Sequence, residues 1–480
     1  MKCLILILSF LVSTLSFAST DEIDSLKKVI DTTSNDTTKI KALNGLSWKL
    51  KNSNPDSAIS FSNRALKLSE KMGHKEWITS SQSNLGVYFS IKSEYSKALE
   101  YHFKSLKLNK EMNNKRGVAS TYNNIGIIYE NKSNYSDAME YYFKSLEINK
   151  EIKNKRSIAK IYNNIGIVYK KQSNYPKALE YYFKALEVDK EINNKKGMAK
   201  IYNNIGVIYM RQNNYPKALE YYFKSLEIKK KINNKKGMAA SYSNIGLIYK
   251  NQNNYHKALE YYFRSLEIRK EIKEKRRVAQ SYTNLGSLLI TASEKSDSTR
   301  DMVIKWFKEK GEWVKKEQVA SSIKEQMLFL AEHYKKKALK IQMQLSDDSW
   351  KCLSLIGLGE IAIKRGQYGK ATDYYRNALF IADTIGALDR KKNAAILLSE
   401  AYEEMGKNDS ALKYHKLYSE LKDTIFSKKK QKELGRQESK FKWKQKLIKK
   451  EKEQEKQQAL AEERAQRQRI IIYSVSGVAV

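Results

Sequence analysis

The sequence predicts an all-α chain of stacked helical hairpins, and three observations predict it. First, glycine recurs at 40-residue steps, at Gly86, Gly126, Gly166, Gly206, Gly246 and Gly286. Tyr95, Tyr135, Tyr175, Tyr215 and Tyr255 keep that step, and so do Ala98, Ala138, Ala178, Ala218 and Ala258. A fixed period of this length marks a repeat architecture. Second, the spacing inside one unit is helical. Tyr162, Ile165, Gly166 and Tyr169 follow i, i+3, i+4, i+7, and Ala178, Tyr182, Ala185 and Leu186 mark a second helix. Third, a lone hairpin cannot cover its own apolar faces, so the units must stack into a solenoid. Only three prolines occur in 480 residues, which excludes a Pro-rich chain.

Taken in order, residues 1–18 read as a secretory signal peptide. Lys2 is followed by an apolar run over 3–12, and Ser16-Phe17-Ala18 offers a small-residue cleavage site. The array is expected over 21–427. Leu46, Trp48, Ala58 and Ala65 form a degenerate first unit. In the full units, Asn174 is placed to cap the second helix, and Pro176 and Pro216 sit in its first turn, where no amide donor is needed. The segment INNKKG reads as a turn beside a cationic helix end. Gly166 and Ala178 are expected where the two helices cross, with tyrosines packed around them. The unit that starts at Gly286 is interrupted by an insertion over 291–325 (KWFKEKGEWVKKE at its centre), and its second helix resumes near Ala331 to Ile341. Gly359, Ala371, Tyr375 and Ala378 form another unit, and Ser399, Tyr402, Ala411 and His415 the last. About nine hairpins result.

Residues 428–469 are almost all Lys, Glu, Gln and Arg and read as one long charged helix. Leu434, Phe441 and Ile448 keep a seven-residue step that Glu455 breaks. Two readings stand: a coiled coil pairing two copies, or a single helix leading to a membrane. Residues 470–480 are uncharged and read as the start of a truncated transmembrane helix, since a span needs about 20 apolar residues.

The composition excludes several chemistries. Two cysteines, Cys3 and Cys352, cannot build a disulfide scaffold, and five scattered histidines never stand at ligand spacing. No metal or cofactor is expected. Cys352 reads as a buried small hydrophobe just before a helix, and His415 as the occupant of an aromatic core slot. Gly357-Leu358-Gly359 lies in a helical pattern and reads as a packing feature. No phosphate loop, zinc-protease or nucleophile-elbow motif occurs, so no enzymatic activity is expected. Lys plus Arg is 90 against 53 Asp plus Glu, a formal charge of +37. The cations cluster at hairpin turns (KNKR, NNKK, KEKRR) and not among exposed aromatics, so no nucleic acid is expected. Joint enrichment in Lys, Asn, Ile and Tyr also fits AT-rich codons.

The order aromatic, Leu/Ile, Gly, Tyr, Ala, aromatic, small, carried in one unit by Tyr122, Ile125, Gly126, Tyr129, Ala138, Tyr142 and Ser145, resembles the tetratricopeptide repeat (TPR). The 40-residue period is similar to the longer repeats of Pins-like and kinesin-light-chain-like proteins. The resemblance covers residues 23 to about 425. It implies a right-handed superhelical solenoid whose first helices line a peptide-binding groove. Carried over by position, that groove holds an amide row at Asn123, Asn163 and Asn203, and an apolar spine at Ile127, Ile167, Val207 and Leu247. Flanking cations are Lys160, Lys200, Lys170, Lys171, Arg211 and Lys250. Amides both donate and accept, which suits an extended peptide backbone, and the cations favour an acidic ligand segment. The neighbouring row Asn84, Asn124, Asn164, Asn204, Asn244 and Asn284 is expected to bond between adjacent hairpins. The role of the insertion is left open by the sequence, a cap on the groove or a partial filling of it being one reading.

The order signal peptide, array, charged helix and membrane helix resembles the periplasmic TPR input region of bacterial membrane-bound sensors of the histidine-kinase, phosphatase or regulator type. That implies an inner-membrane protein with its array in the periplasm, binding a protein or peptide and anchored by the C-terminal helix. The alternatives are an envelope assembly scaffold without signalling and a basic nucleic-acid-binding solenoid. The expected placement sets the Lys/Arg-rich helix outside the membrane, against the positive-inside tendency.

Overall fold

The computed structural model describes residues 22–311 and 322–427, with 437, 453, 456 and 459–468. Every regular element among the described residues is a helix. Two compact units are formed, Met1–Val188 with Gly435–Val480, and Asp189–Leu434.

In the first unit, helix α1 spans 22–32. There follow α2 (Asp36–Leu50), α3 (Pro55–Lys71), α4 (Lys75–Ile91), α5 (Tyr95–Glu111), α6 (Lys115–Asn131), α7 (Tyr135–Glu151), α8 (Lys155–Lys171) and α9 (Tyr175–Glu191), in whose last turn the unit ends. Odd helices fold back on the even ones before them, and the first helices touch in series, α2 with α4, α4 with α6, and α6 with α8. Leu46, Ala58 and Ala65 of the first hairpin are buried, and Trp48 is exposed.

In the second unit, α10 (Lys195–Arg211) pairs with α11 (Tyr215–Lys231), and α12 (Lys235–Asn251) with α13 (Tyr255–Glu271). Next come α14 (Lys275–Ala292), α15 (Asp297–Glu309), α16 (Ile323–Gln344), α17 (Asp348–Lys364), α18 (Tyr368–Thr384), α19 (Leu388–Glu403) and α20, residues 408–427. The hairpin partner of α14 is α16, and α17 pairs with α18. Tyr402 of α19 stacks on Tyr414 of α20, with ring centroids 5.6 Å apart.

The 40-residue period is two 20-residue halves. Each half is a 17-residue helix and a short turn, and one turn residue takes the left-handed conformation: Asn113, Ser133, Lys153, Ser173, Asn193, Asn213, Asn233, Asn253 and Lys273. Asn tolerates that conformation better than most residues, which is why the turns read NNK. The next residue caps the following helix. The Asn174 carboxamide oxygen accepts from the Lys177 amide (3.3 Å), and Asn214 does the same for Lys217 (3.2 Å).

The crossings are set by small residues. A Cβ at Gly126 would lie 2.7 Å from the Tyr142 ring, and one at Gly166 would lie 2.6 Å from Tyr182. A serine on the second helix donates back to the first: Ser145 Oγ to the Ala119 carbonyl (2.6 Å), and Ser225 and Ser265 likewise (2.7 and 2.8 Å). The first-helix tyrosines stack on the second, Tyr129 on Tyr141 and Tyr249 on Tyr261, both at 5.5 Å.

The structure places part of the insertion, whose role the sequence leaves open. Its helix α15 packs chiefly on the second helices α13 and α16, with a smaller contact to the first helix α14. Trp306 and Phe307 are buried there against Phe263, at centroid distances of 4.7 and 5.6 Å. Trp313 lies outside the described residues. Two smaller corrections follow. Cys352 is buried, as expected, but inside α17. His415 is exposed on α20, so it fills no core slot, because the last hairpin has no described successor to cover that face.

The expected placement at an inner membrane, with a periplasmic array, is also corrected. A crossing helix must be apolar for about 20 residues, since hydrocarbon solvates no charge. Among the described residues no helix is long and apolar enough to cross a membrane. The segments read as a signal peptide (1–18) and as the start of a span (470–480) lie outside the described residues. So does most of 428–469, of which 459–468 is helical and exposed.

Candidate peptide-binding site

The first helices present one residue immediately after each crossing glycine. Ile127 and Ile167 in the first unit and Val207 in the second are half-buried, and Leu247 is exposed. Helical geometry places residues one and two turns away on the same face. Lys160, Lys200 and Arg211 are exposed, and Lys170 and Lys250 are half-buried. A cleft of about 250 Å³ in the first unit brings together Asn123, Lys160, Arg116 and Asn154.

The amide row is more engaged than its spacing suggests. Asn123 and Asn163 are only 5% and 4% exposed. The Asn164 side-chain amide donates to Asn123 Oδ1 (3.0 Å), and Asn244 donates to Asn203 Oδ1 (3.2 Å). Asn84 donates to Asn44 Oδ1 (3.2 Å). Within each unit the two asparagine rows therefore bond to each other between adjacent hairpins. Lys171 is engaged as well. It pairs with Glu130 (2.8 Å), whose other oxygen accepts from the Tyr142 hydroxyl (2.7 Å). Burial and the Glu130 carboxylate both hold the Tyr142 hydroxyl far above its ordinary range.

In the second unit the pattern changes. The slot beneath Gly286 holds Lys335 where other hairpins hold tyrosine, and Lys335 is 2% exposed. Its ammonium donates to Ser287 Oγ (2.8 Å). Gly357 makes room for it, since a Cβ there would meet Lys335 Nζ at 2.6 Å. Burial lowers the Lys335 pKa to about 8, partly offset by Glu360. Glu360 follows Gly359 and so occupies the register of Ile127 and Leu247. Burial raises its pKa, and Lys335, Lys364 and Lys250 oppose that rise. Burial also lowers the Lys250 pKa. Sequence reading missed Lys335 and Glu360. Carrying the register over the insertion, from Gly286 to Gly359, would have found both. The paired glycines 357 and 359 are packing features as expected, the first for Lys335 and the second for Tyr375.

A family model described as "Tetratricopeptide repeat" matches residues 117–191, 157–231, 197–271 and 237–298. These repeats are tetratricopeptide repeats. The TPR architecture also appears among solved structures. A Signal Transduction ATPase with Numerous Domains carrying a tetratricopeptide repeat sensor, from Pyrococcus horikoshii, is 16% identical, with 80% of this chain and 54% of that chain covered and a TM-score of 0.52. The apo form of the quorum sensor NprR from B. thuringiensis is 15% identical, with 78% and 96% covered and a TM-score of 0.44. The Rap conjugation gene regulator of the plasmid pLS20, in complex with the Phr* peptide, is 14% identical, with 78% and 97% covered and a TM-score of 0.44. At these identities the likeness is one of fold alone. No curated protein matches the sequence. Among the described residues no cluster of three or more acidic, His or Cys side chains is arranged to hold a metal ion.

Proposed function

We propose that the TPR array is a binding scaffold for an extended peptide or a segment of a partner protein, acting as the sensing or interaction region of a signalling protein and catalysing nothing itself. The observation that carries this reading is the row of partly open aliphatic side chains at one register of the first helices, Ile127 and Ile167 in one unit and Val207 and Leu247 in the other, flanked by lysines. Aliphatic groups kept partly in water at a repeated register are a contact surface in waiting. The flanking cations favour acidic residues in the ligand. A TPR sensor in a signal transduction ATPase shares the fold, which is in keeping with sensing.

The test is to pan randomised dodecapeptides displayed on phage against the full chain, then measure the selected peptides by fluorescence anisotropy. Acidic peptides should be enriched. Replacing Lys200 and Leu247 together (Lys200→Glu, Leu247→Asp) should weaken their binding at least about tenfold, the scale of one lost charge contact with its apolar neighbour. Helical circular dichroism should not change. Absence of any enriched peptide, or equal binding by the double variant, would overturn the reading.

A further inference from the structure

The second unit contains a cavity of about 450 Å³ at the step from α17 to α18 and α19. Its polar lining is Glu360, Lys364, Tyr368, Tyr375, Glu400 and Glu404. Three of these six are already spent on neighbours. The Lys364 ammonium pairs with Glu294. The Tyr368 hydroxyl donates to Glu404 (3.2 Å).

The other three are not. Tyr375 is 1% exposed, and its hydroxyl has no hydrogen-bond partner. A buried hydroxyl left unpaired is costly in a folded chain, so its presence calls for an explanation. Glu360 is half-buried, Glu400 stands at the exposed rim, and neither lies in an ion pair among the described residues. Both carboxylates add to burial in raising the Tyr375 pKa, so the hydroxyl sits within the field of the two.

In the first unit the tyrosines at the equivalent place differ: the Tyr182 hydroxyl is likewise buried and unpartnered, whereas that of Tyr142 is satisfied. Tyr142 donates to Glu130, and Glu130 is neutralised by Lys171. Lys335, the buried cation nearest in role, is turned to Ser287. The cavity thus holds two carboxylates and a buried hydroxyl without a direct ion-pair partner, although Lys335, Lys364 and Lys250 lie close enough to favour the Glu360 charge. Ile363 and Leu397 form its apolar wall, which suits the alkyl stem of a long cationic side chain.

Resting on the peptide-binding reading above, we propose that this cavity is a specificity pocket for one basic residue of the ligand. Its guanidinium or ammonium group pairs with Glu360 and Glu400 and donates to the Tyr375 hydroxyl oxygen. Arginine suits the site better than lysine, because its planar fork reaches two carboxylates and a third acceptor at once. The ligand then carries an acidic stretch for the lysine-flanked helix faces and a single basic anchor for this pocket.

The test is equilibrium dialysis of the full chain with labelled acetyl-Gly-Arg-Gly-amide and its neutral citrulline counterpart. The arginine tripeptide should bind at least about tenfold tighter, as charge-assisted hydrogen bonds do over neutral ones. The double variant E360Q/E400Q keeps side-chain shape and should erase that preference with its thermal melt unchanged. Y375F should reduce it several-fold. Equal binding of the two tripeptides, no binding of either, or a preference that survives E360Q/E400Q would overturn the proposal. Agmatine binding as tightly as the tripeptide would keep the pocket as a cation site and overturn a peptide as its source. The two readings fail separately. If phage-selected peptides still need Lys200 and Leu247 but no arginine preference exists, only the pocket falls. If the tripeptide preference holds but no longer peptide is captured, only the wider reading falls.

Discussion

The slot beneath the first-helix glycine is filled differently in two regions of the molecule. In the first unit the α5 hairpin puts His102 beneath Gly86, while its neighbours place Tyr142 and Tyr182 beneath Gly126 and Gly166. In the second unit the α16 hairpin puts Lys335 beneath Gly286. All of these side chains are buried. The slot therefore selects for length and thickness, not for chemistry. What differs is the fate of the polar end. The His102 ring is enclosed and its Nδ1 has no partner, whereas the equally buried Lys335 ammonium finds Ser287 and lies near Glu360.

The largest expected effects are opposite pH limbs. Burial depresses the His102 pKa to about 4, from 6.5 in an unfolded chain. The unfolded chain takes up the proton first, so stability is lost as pH falls from 6.5 to about 4, by about 3 kcal/mol in all. Lys335 titrates at about 8 in the fold and near 10.5 when unfolded. Below pH 8 the fold bears a buried charge. As pH rises from about 8 to 10.5 the fold sheds its proton before the unfolded chain does, and stability rises. Urea midpoints followed by circular dichroism at pH 4.5, 7 and 9.5 check both limbs. His102→Phe should shrink the acid limb and leave the alkaline one, and Lys335→Met should shrink the alkaline limb, to which Lys229, also lowered to about 8 by burial, adds the rest. Variants that track the wild type at every pH would erase the contrast.

A middle-sized effect sharpens the contrast between the closed and open carboxylates. Glu130→Ala leaves the Tyr142 hydroxyl and the Lys171 ammonium without their acceptor, and should cost about 2 kcal/mol in chemical denaturation. Glu360→Gln removes a carboxylate whose burial is not matched by an ion pair, and should change stability by less than about 1 kcal/mol. Its effect should appear in acid. The raised Glu360 pKa means the wild type recovers stability relative to the variant as pH falls through that raised value toward 4.5. Equal losses from the two substitutions would show that the carboxylates are equivalent after all.

The sequence reading of the helices succeeded where period alone decides the answer. Gly126 meets Tyr142 and Gly166 meets Tyr182 because 40-residue recurrence fixes which side chains share a crossing, and Asn174 caps because capping is local. The reading was incomplete where the answer depends on what lies opposite. Asn123 stands on the expected helix face, but its carboxamide is taken by Asn164, 41 residues away. A helix wheel shows the face and not its neighbour. The insertion was unreadable for a similar reason. Trp306 and Phe307 signal burial, yet only packing reveals that they cover Phe263 on a second helix, where Phe183 and Phe223 in other hairpins stay exposed. His415 has the spacing of a core residue and no described hairpin beyond it to supply the core. Glu360 was hidden because the insertion shifts the register from a 40-residue step to 73 residues between Gly286 and Gly359.

The smallest effect concerns the asparagine ladder, and it compares like with like. Asn164 to Asn123 is a 3.0 Å bond between two buried amides, and Asn244 to Asn203 a 3.2 Å bond between two half-buried ones. Losing a buried partner strands the remaining carbonyl, whereas water can serve a half-buried one. Asn164→Ala should therefore cost about 1–1.5 kcal/mol, and Asn244→Ala about half that, read as shifts in urea midpoint at unchanged slope. A peptide that binds through the aliphatic register and its lysines should not notice Asn244→Ala at all, since the ladder spends that amide between hairpins. A loss of peptide affinity larger than the loss of stability would mean that the ladder opens to receive the ligand backbone, and the amide rows would then belong to the binding surface and not only to its support.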